Sequence, residues 1–257
     1  MNADRAEAAF WAAFLRNRNV DAGTAGDGAV AVAGGYALCV PGTWLEFAIG
    51  AGSTRPLRPD DCEVAEAFYA VRRLPSRLEL ADEVLRRDEG LLRERGYVEE
   101  DAVMAQLEAP VAAHPPAGRG IAVRTTTDRR AWSELLIRAG EAFADQDRMR
   151  RSAPINAAAA HVMVIASLHG VDAGAAALGI SGETAVLYAG GVLPAFRRQG
   201  VHGALIGARL GLAHARGASQ AMLKTEPDSF AERAARSVGF ERTALRRRVL
   251  RPAGAAG

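Results

Sequence analysis

YAGGVLPAFRRQGVHGALIGARLGLAHAR, residues 188–216, sets the architecture expected of the chain. It reads as the end of an apolar strand, a glycine-rich turn carrying Arg197 and Arg198, and a long apolar helix. A helix N-terminus carries partial positive charge and unpaired N–H groups, so nearby Asp or Glu stabilises it. Here two arginines stand beside it, and no acidic residue occurs from Thr184 to Thr225. The arrangement is costly until an anion joins it, and a phosphate held by backbone N–H groups is the simplest anion. Gly190 and Gly191 suit a bulge that leaves strand N–H groups unpaired, and Gly200 and Gly203 let backbone approach a ligand closely.

Along the helix that follows, Val201, Ala204, Leu205, Ala208 and Leu212 form an apolar stripe. His202, Arg209 and Arg216 recur every seven residues and are expected together on the opposite face. Before the turn, residues 184–192 are apolar at nearly every position, as in a central strand covered on both faces. Upstream, strands are expected at 121–124, 161–168 and 172–178. Between the first two lies a helix capped by Asp128, then a polar surface loop at 145–155. Downstream come a strand at 219–225, a helix capped by Asp228 and ended at Gly239, and a last strand at 240–250.

The first half carries a similar succession. A helix over 6–15 precedes strands at 29–33, 36–40 and 44–49. The loop IGAGSTRPLRPDD leads to a helix with Asp60 or Asp61 at its cap, then a strand at 77–80, a helix over 88–95 and a strand at 97–107. LLRERGYVEEDAVMAQL (residues 91–107) and AARSVGFERTALRRRVL (residues 234–250) end the two halves alike. Two aspartates in the first loop stand where the second has arginines, so the first copy is expected to hold no anion. APVAAHPPAGRG (109–120) is the linker between them, giving domains 1–112 and 120–252 of mixed α/β (α+β) type.

Composition bounds the function. A net charge of +2 over 257 residues is too small for a general nucleic-acid binder, and Arg246-Arg247-Arg248 reads as a solvated strand edge. Two cysteines with no metal spacing provide neither a disulfide framework nor a metal site. No apolar run has the length of a membrane span, and the acidic amphipathic start lacks a signal-peptide core, so a cytoplasmic protein is expected.

The run Val192-Leu193-Pro194-Ala195-Phe196-Arg197-Arg198-Gln199-Gly200-Val201 resembles the acyl-CoA signature of the GCN5-related N-acetyltransferases (GNATs), V-x-P-x-x-[RQ]-x-x-G-x-[GA]. Gly239-Phe240 is similar to the family's second landmark, and the order of elements from residue 121 to 250 fits. The resemblance covers the second half in full and makes the first half a degenerate copy in a tandem member. It implies acetyl-CoA as cosubstrate and a small-molecule or peptide amine as acceptor, with no metal, in a monomer or homodimer. Backbone groups of Gly190, Gly191 and Val192 would hold the pantetheine arm and polarise the thioester carbonyl. Arg197, Arg198, Gln199, Gly200, Val201, His202 and Gly203 would wrap the pyrophosphate.

Three positions depart from the family pattern. His202 stands where Gly or Ala is usual, Asp228 where Asn is common, and Ala235 where a Tyr protonates the departing thiolate. Tyr188 and Glu226 are the remaining candidates for proton transfer. The same departures support an alternative, a non-catalytic acyl-CoA-binding regulatory protein.

Overall fold

The computed structural model describes residues 2–18, 26–111, 120–141 and 145–253. The chain forms α1 (Ala3–Arg18), β1 (Gly28–Val32), β2 (Gly35–Cys39), β3 (Ala48–Ile49), α2 (Pro59–Ala70), β4 (Ser76–Ala81), α3 (Asp82–Glu94) and β5 (Val98–Pro110). The second half forms β6 (Ile121–Thr126), α4 (Arg129–Ala139), α5 (Gln146–Ala159), β7 (Val162–Leu168), β8 (Val171–Ser181) and β9 (Thr184–Val192). It ends with α6 (Val201–His214), β10 (Gln220–Thr225), α7 (Phe230–Arg236) and β11 (Glu241–Arg251). The order strand, loop, helix, strand, helix, strand occurs twice, from β3 to β5 and from β9 to β11, as the paired endings suggest.

Two compact units result. One comprises Met1–Ala105 with Ala244–Gly257, the other Gln106–Thr243. Reading the linker at 109–120 places the closing strand in the second half, whereas by contact Ala244–Gly257 falls with the first unit. There Arg246 to Arg251 pair antiparallel with Ala81 to Ser76 of β4. The two closing strands have similar length and pattern, so their sequences do not say which sheet each completes. Strand β5 also continues to Pro110, and Val111 N–H donates to Ser219 O at 2.9 Å, so the proposed linker begins as paired backbone. Residues 112–119 lie outside the described residues.

In the first unit the sheet runs β1-β2-β3-β4-β11-β5, over a core that includes Cys39, Cys62, Tyr69, Leu78, Leu80 and Val249. Burial pushes the Cys39 and Cys62 thiols up to about 12 and about 11, which leaves them inert packing groups. Its glycine-rich loop is closed by the chain's own carboxylates. Asp61 accepts the Arg58 N–H at 2.9 Å and a two-pronged pair from Arg55 at 2.6 and 2.7 Å. Asp88 is buried and accepts the Leu57 N–H at 3.1 Å. The cap of α2 is thus Arg58, with Asp61 inside the first turn. Each arginine of the 246–248 run meets a carboxylate, Arg246 with Asp4, Arg247 with Asp82 at 2.9 Å, and Arg248 with Glu79 at 3.3 Å. They are structural ion pairs of this unit rather than a solvated edge.

In the second unit the sheet runs β5-β10-β9-β8-β7-β6. Helices α4 and α5 cover one face, where Trp132, Leu135, Leu136, Ala153 and Ala157 meet Ala175 and Ala177. The alternate residue Gly174 looks toward Leu205 of α6 on the other face. Asp128 caps α4 as expected, accepting the Ala131 N–H at 2.9 Å. Residues 145–155, expected as a polar loop, form most of α5. Asp145 caps it through the Arg148 N–H at 2.8 Å, and Ser152, Ala153, Asn156, Ala157 and Ala159 are buried. Its polar composition hid a helix held by packing of small residues, with Pro154 inside. At α7 the cap is Ser229, accepting the Glu232 N–H at 3.1 Å, and not Asp228. Asp228 has φ +58° and pairs instead with Arg242 at 2.7 Å.

Candidate functional site

Strand β9 pairs in parallel with β10 only over residues 184–187, opposite 220–223. That ladder ends at Leu187, opposite Leu223, and beyond it the two strands part and their gap opens toward α6. On its other edge β9 is bulged. Ala177 lies opposite Tyr188 and Ala175 opposite Gly191, so Ala189 and Gly190 together face Ala176. Ala189 has φ +49°, a left-handed conformation that costs an L-residue about 1–2 kcal/mol.

A bulge breaks the ladder and leaves carbonyls to be satisfied from elsewhere. Both faces of the sheet supply donors. From α4, Trp132 Nε1 donates to Val164 O at 3.2 Å and Ala176 O at 3.1 Å. From α6, Arg209 Nη1 donates to Ala177 O at 3.1 Å and Tyr188 O at 3.3 Å, while its Nε holds Leu205 O at 3.0 Å. Arg209 thus shares a side with His202, as the seven-residue spacing implies, but that side turns inward, toward Gly190, and not away from the sheet. Arg209 is buried, as are Val201, Leu205, Ile206 and Leu210. Helix α6 is rich in Gly and Ala all round, so hydrophobic periodicity did not reveal which face turns inward.

The loop after β9 makes one turn of 3-10 helix over Pro194–Phe196. Arg197 clamps it, with Nε donating to Val192 O and Nη2 to the last carbonyl of α4, Ala139 O, both at 3.2 Å. Arg198, at φ +60°, is exposed and makes no side-chain hydrogen bond among the described residues. Gly200 sits at the cap of α6 with φ +84°, a conformation that favours glycine. It has no side chain to cap the helix, and no acid lies in the first turn. The first i→i−4 bond is Ala204 N–H to Gly200 O at 3.0 Å, so the N–H groups of Val201, His202 and Gly203 precede the intrahelical ladder.

These elements enclose a cleft of about 620 Å³. Gly190, Gly191, Val192, Arg197, Arg198, Gly200, His202, Gly203 and Glu226 line it, so most of the expected binding residues converge on one space. Gln199 and Val201 do not line it. Gln199 turns back to Ala195 O at 3.0 Å and Val201 is buried. The cleft also takes Ala139, Phe196, Phe230, Arg233, Ala234 and Ser237, which sequence reasoning missed. The last four recur at i, i+3, i+4 and i+7 from Phe230, the spacing of one helix face, which was available as a signal.

The two proton-transfer candidates stand apart. Glu226 is exposed at the cleft wall. Tyr188 does not line the cleft. Its hydroxyl donates to Asn156 O of α5 at 3.1 Å, and burial raises its pKa, which keeps the proton on. Ala235 is fully buried, while its neighbour Ala234 faces the cleft. His202 is half-buried, and burial with the Arg209 charge beside it pushes its pKa down to about 4, so it is neutral at pH 7. No group of His, Cys, Asp and Glu suited to a metal ion occurs among the described residues. No helix among them is long and apolar enough to cross a membrane.

No protein-family model matches the sequence, and a search of curated proteins found no match. Solved structures do match. A GCN5-related N-acetyltransferase from Kribbella flavida superposes with a TM-score of 0.67 over 99% of this chain and 97% of that one, at 18% identity. This chain has the GNAT fold. A tandem GNAT protein from the clavulanic acid biosynthesis pathway, solved without AcCoA, matches 86% of this chain and 79% of its own at TM-score 0.57 and 15% identity. A conserved protein of unknown function from Staphylococcus epidermidis superposes at TM-score 0.53 and 14% identity over 76% of this chain and 79% of that one. The likeness to the tandem protein extends well beyond a single GNAT copy, as the paired endings of the two halves led us to expect.

Proposed function

We propose that the second unit binds acetyl-CoA and transfers its acyl group to the amine of a small molecule or peptide. The observation that carries this is the parting of β9 from β10 directly beside the uncapped N-terminus of α6. One wall thereby offers strand backbone beyond the end of the parallel ladder and the other an uncapped helix N-terminus, which suits a ligand with a pantetheine-length arm ending in a diphosphate. Backbone groups of Gly190, Gly191 and Val192 hold the arm and stabilise the oxyanion formed when the amine attacks the thioester. The loop from Arg197 to Gly203 takes the diphosphate. Proximity of amine and thioester supplies much of the rate. Glu226, at the cleft wall, is the carboxylate placed to accept the ammonium proton, and the thiolate is protonated by water, since the Tyr188 hydroxyl is turned away to Asn156 O.

A second reading has its own support. With Ala235 at the usual tyrosine position and the Tyr188 proton engaged by Asn156 O, the site suits an acyl-CoA-binding regulatory protein as well. Calorimetry with CoA and acetyl-CoA tests binding. Gly200→Val should abolish it while the protein stays folded, since a β-branched residue is strained at φ +84°. Unchanged affinity in that variant refutes the site. Release of free thiol with a panel of amines then separates the readings, because binding without turnover on any amine favours the regulatory one.

A further inference from the structure

Arg209 carries more charge than its structural task requires. It is 3% exposed, and no acidic side chain pairs with it among the described residues. Three of its five donors satisfy Leu205 O, Ala177 O and Tyr188 O, a task that a neutral amide could share. The two N–H groups of Nη2 are left over, and so is the full positive charge. A buried cation is costly unless an anion joins it.

Nη2 faces a notch. Gly190 has no side chain, and an atom at its missing Cβ position would lie 3.6 Å from Arg209 Nη2, 3.7 Å from His202 Cε1 and 4.0 Å from Ala176 Cβ. Gly190 and His202 both line the cleft, so the notch opens from it. It opens at the bulged residue whose backbone is assigned to the thioester, and the walls named above hold no carboxylate. The neutral imidazole of His202 leaves the Arg209 charge for a ligand. A methyl group in the notch would leave Nη2 unmatched, while a carboxylate would meet it.

The geometry points to a dicarboxylic acyl-CoA, malonyl-CoA or succinyl-CoA, as the donor, with its free carboxylate held by Arg209 Nη2 in the notch beside Gly190. This rests on the acyl-CoA reading above and narrows its acyl group. In the reaction the amine nitrogen bonds to the thioester carbonyl carbon and the C–S bond breaks. The nitrogen loses a proton to the base, and the thiolate gains one to leave as CoA. The amide product keeps the carboxylate, so the acceptor exchanges a positive charge for a negative one.

Calorimetry on the full-length protein with CoA, acetyl-CoA, malonyl-CoA and succinyl-CoA tests this without knowledge of the acceptor. At least one dicarboxylic donor should bind about tenfold or more tighter than acetyl-CoA, a difference of about 1.4 kcal/mol. Arg209→Gln keeps a donor for the bulge carbonyls and should erase that preference while CoA affinity stays within about twofold. Equal affinity of the wild type for all three acyl-CoA esters overturns the inference and leaves the CoA site standing. A preference that survives in Arg209→Gln overturns it too. Failure to bind even CoA overturns the proposed function and the inference with it. Should Arg209→Gln not fold, the wild-type comparison of the four ligands decides alone.

Discussion

Gly190 and Gly191 are neighbours at the cleft, yet the structure gives them opposite tolerances for a methyl group. A Cβ at Gly191 would lie 2.9 Å from Ala139 Cβ and 3.3 Å from Leu136 Cδ1, against the inner surface of α4. Carbon atoms rest at about 3.5–4.0 Å, so Gly191→Ala forces a retreat of roughly 0.6–1 Å by a helix end that is otherwise close-packed. Overpacking of that kind costs about 1–3 kcal/mol, of which burial of the new methyl returns about 0.8. The expected net loss is up to about 2 kcal/mol. A Cβ at Gly190 would meet nothing closer than 3.6 Å, and its φ lies outside the left-handed range. Gly190→Ala should then be neutral or stabilise by up to about 1 kcal/mol through the unfolded chain. Urea denaturation of the two variants side by side measures the difference, expected near 2 kcal/mol. Gly191→Ala should also loosen the clamp that Arg197 makes on Ala139 O, and so weaken CoA binding several-fold. Equal losses in the two variants, or a larger loss at Gly190, would refute this account of the bulge.

The two arginines of the loop should separate. Arg197→Met removes two bonds to backbone carbonyls and should cost about 1–2 kcal/mol in stability as well as CoA affinity, whereas Arg198→Glu should leave the melting temperature unchanged and weaken CoA binding in a salt-dependent way. A salt-insensitive loss at Arg198, read by calorimetry at two ionic strengths, would show that its charge does not face the phosphates. His202 gives a pH prediction. Its folded pKa is depressed from 6.5 to about 4, so the unfolded chain binds the proton first as pH falls. The stability it contributes is complete above pH 6.5 and lost progressively toward pH 4, about 2 kcal/mol by pH 4.5 after allowance for its partial exposure. Urea midpoints at pH 7 and 4.5 should converge between wild type and His202→Gln, and parallel losses would mean the imidazole is solvated.

Local chemistry was legible from the amino-acid order wherever one short segment carried the whole signal. The strand Thr184–Val192, the Asp128 cap and the uncapped start of α6 lie where the residues alone placed them, because strand propensity, capping and helix dipoles act over a few neighbouring residues. The convergence of eight of the proposed site residues on one cleft follows from the same segment, through the glycine loop, and Glu226 joins them from the end of β10. Tertiary structure decided what depends on partners distant in the chain. Helix α5 exists because small residues in a polar sequence pack inward. Arg209 turns inward because a bulge 21 residues upstream, at Tyr188, exposes a carbonyl to it. The closing strand β11 lies between β4 and β5 because pairing is chosen by the gap those two strands leave, which the strand's own residues do not encode. The uncapped helix start within residues 188–216 was thus a property of sequence, and the cation buried beneath it a property of the fold.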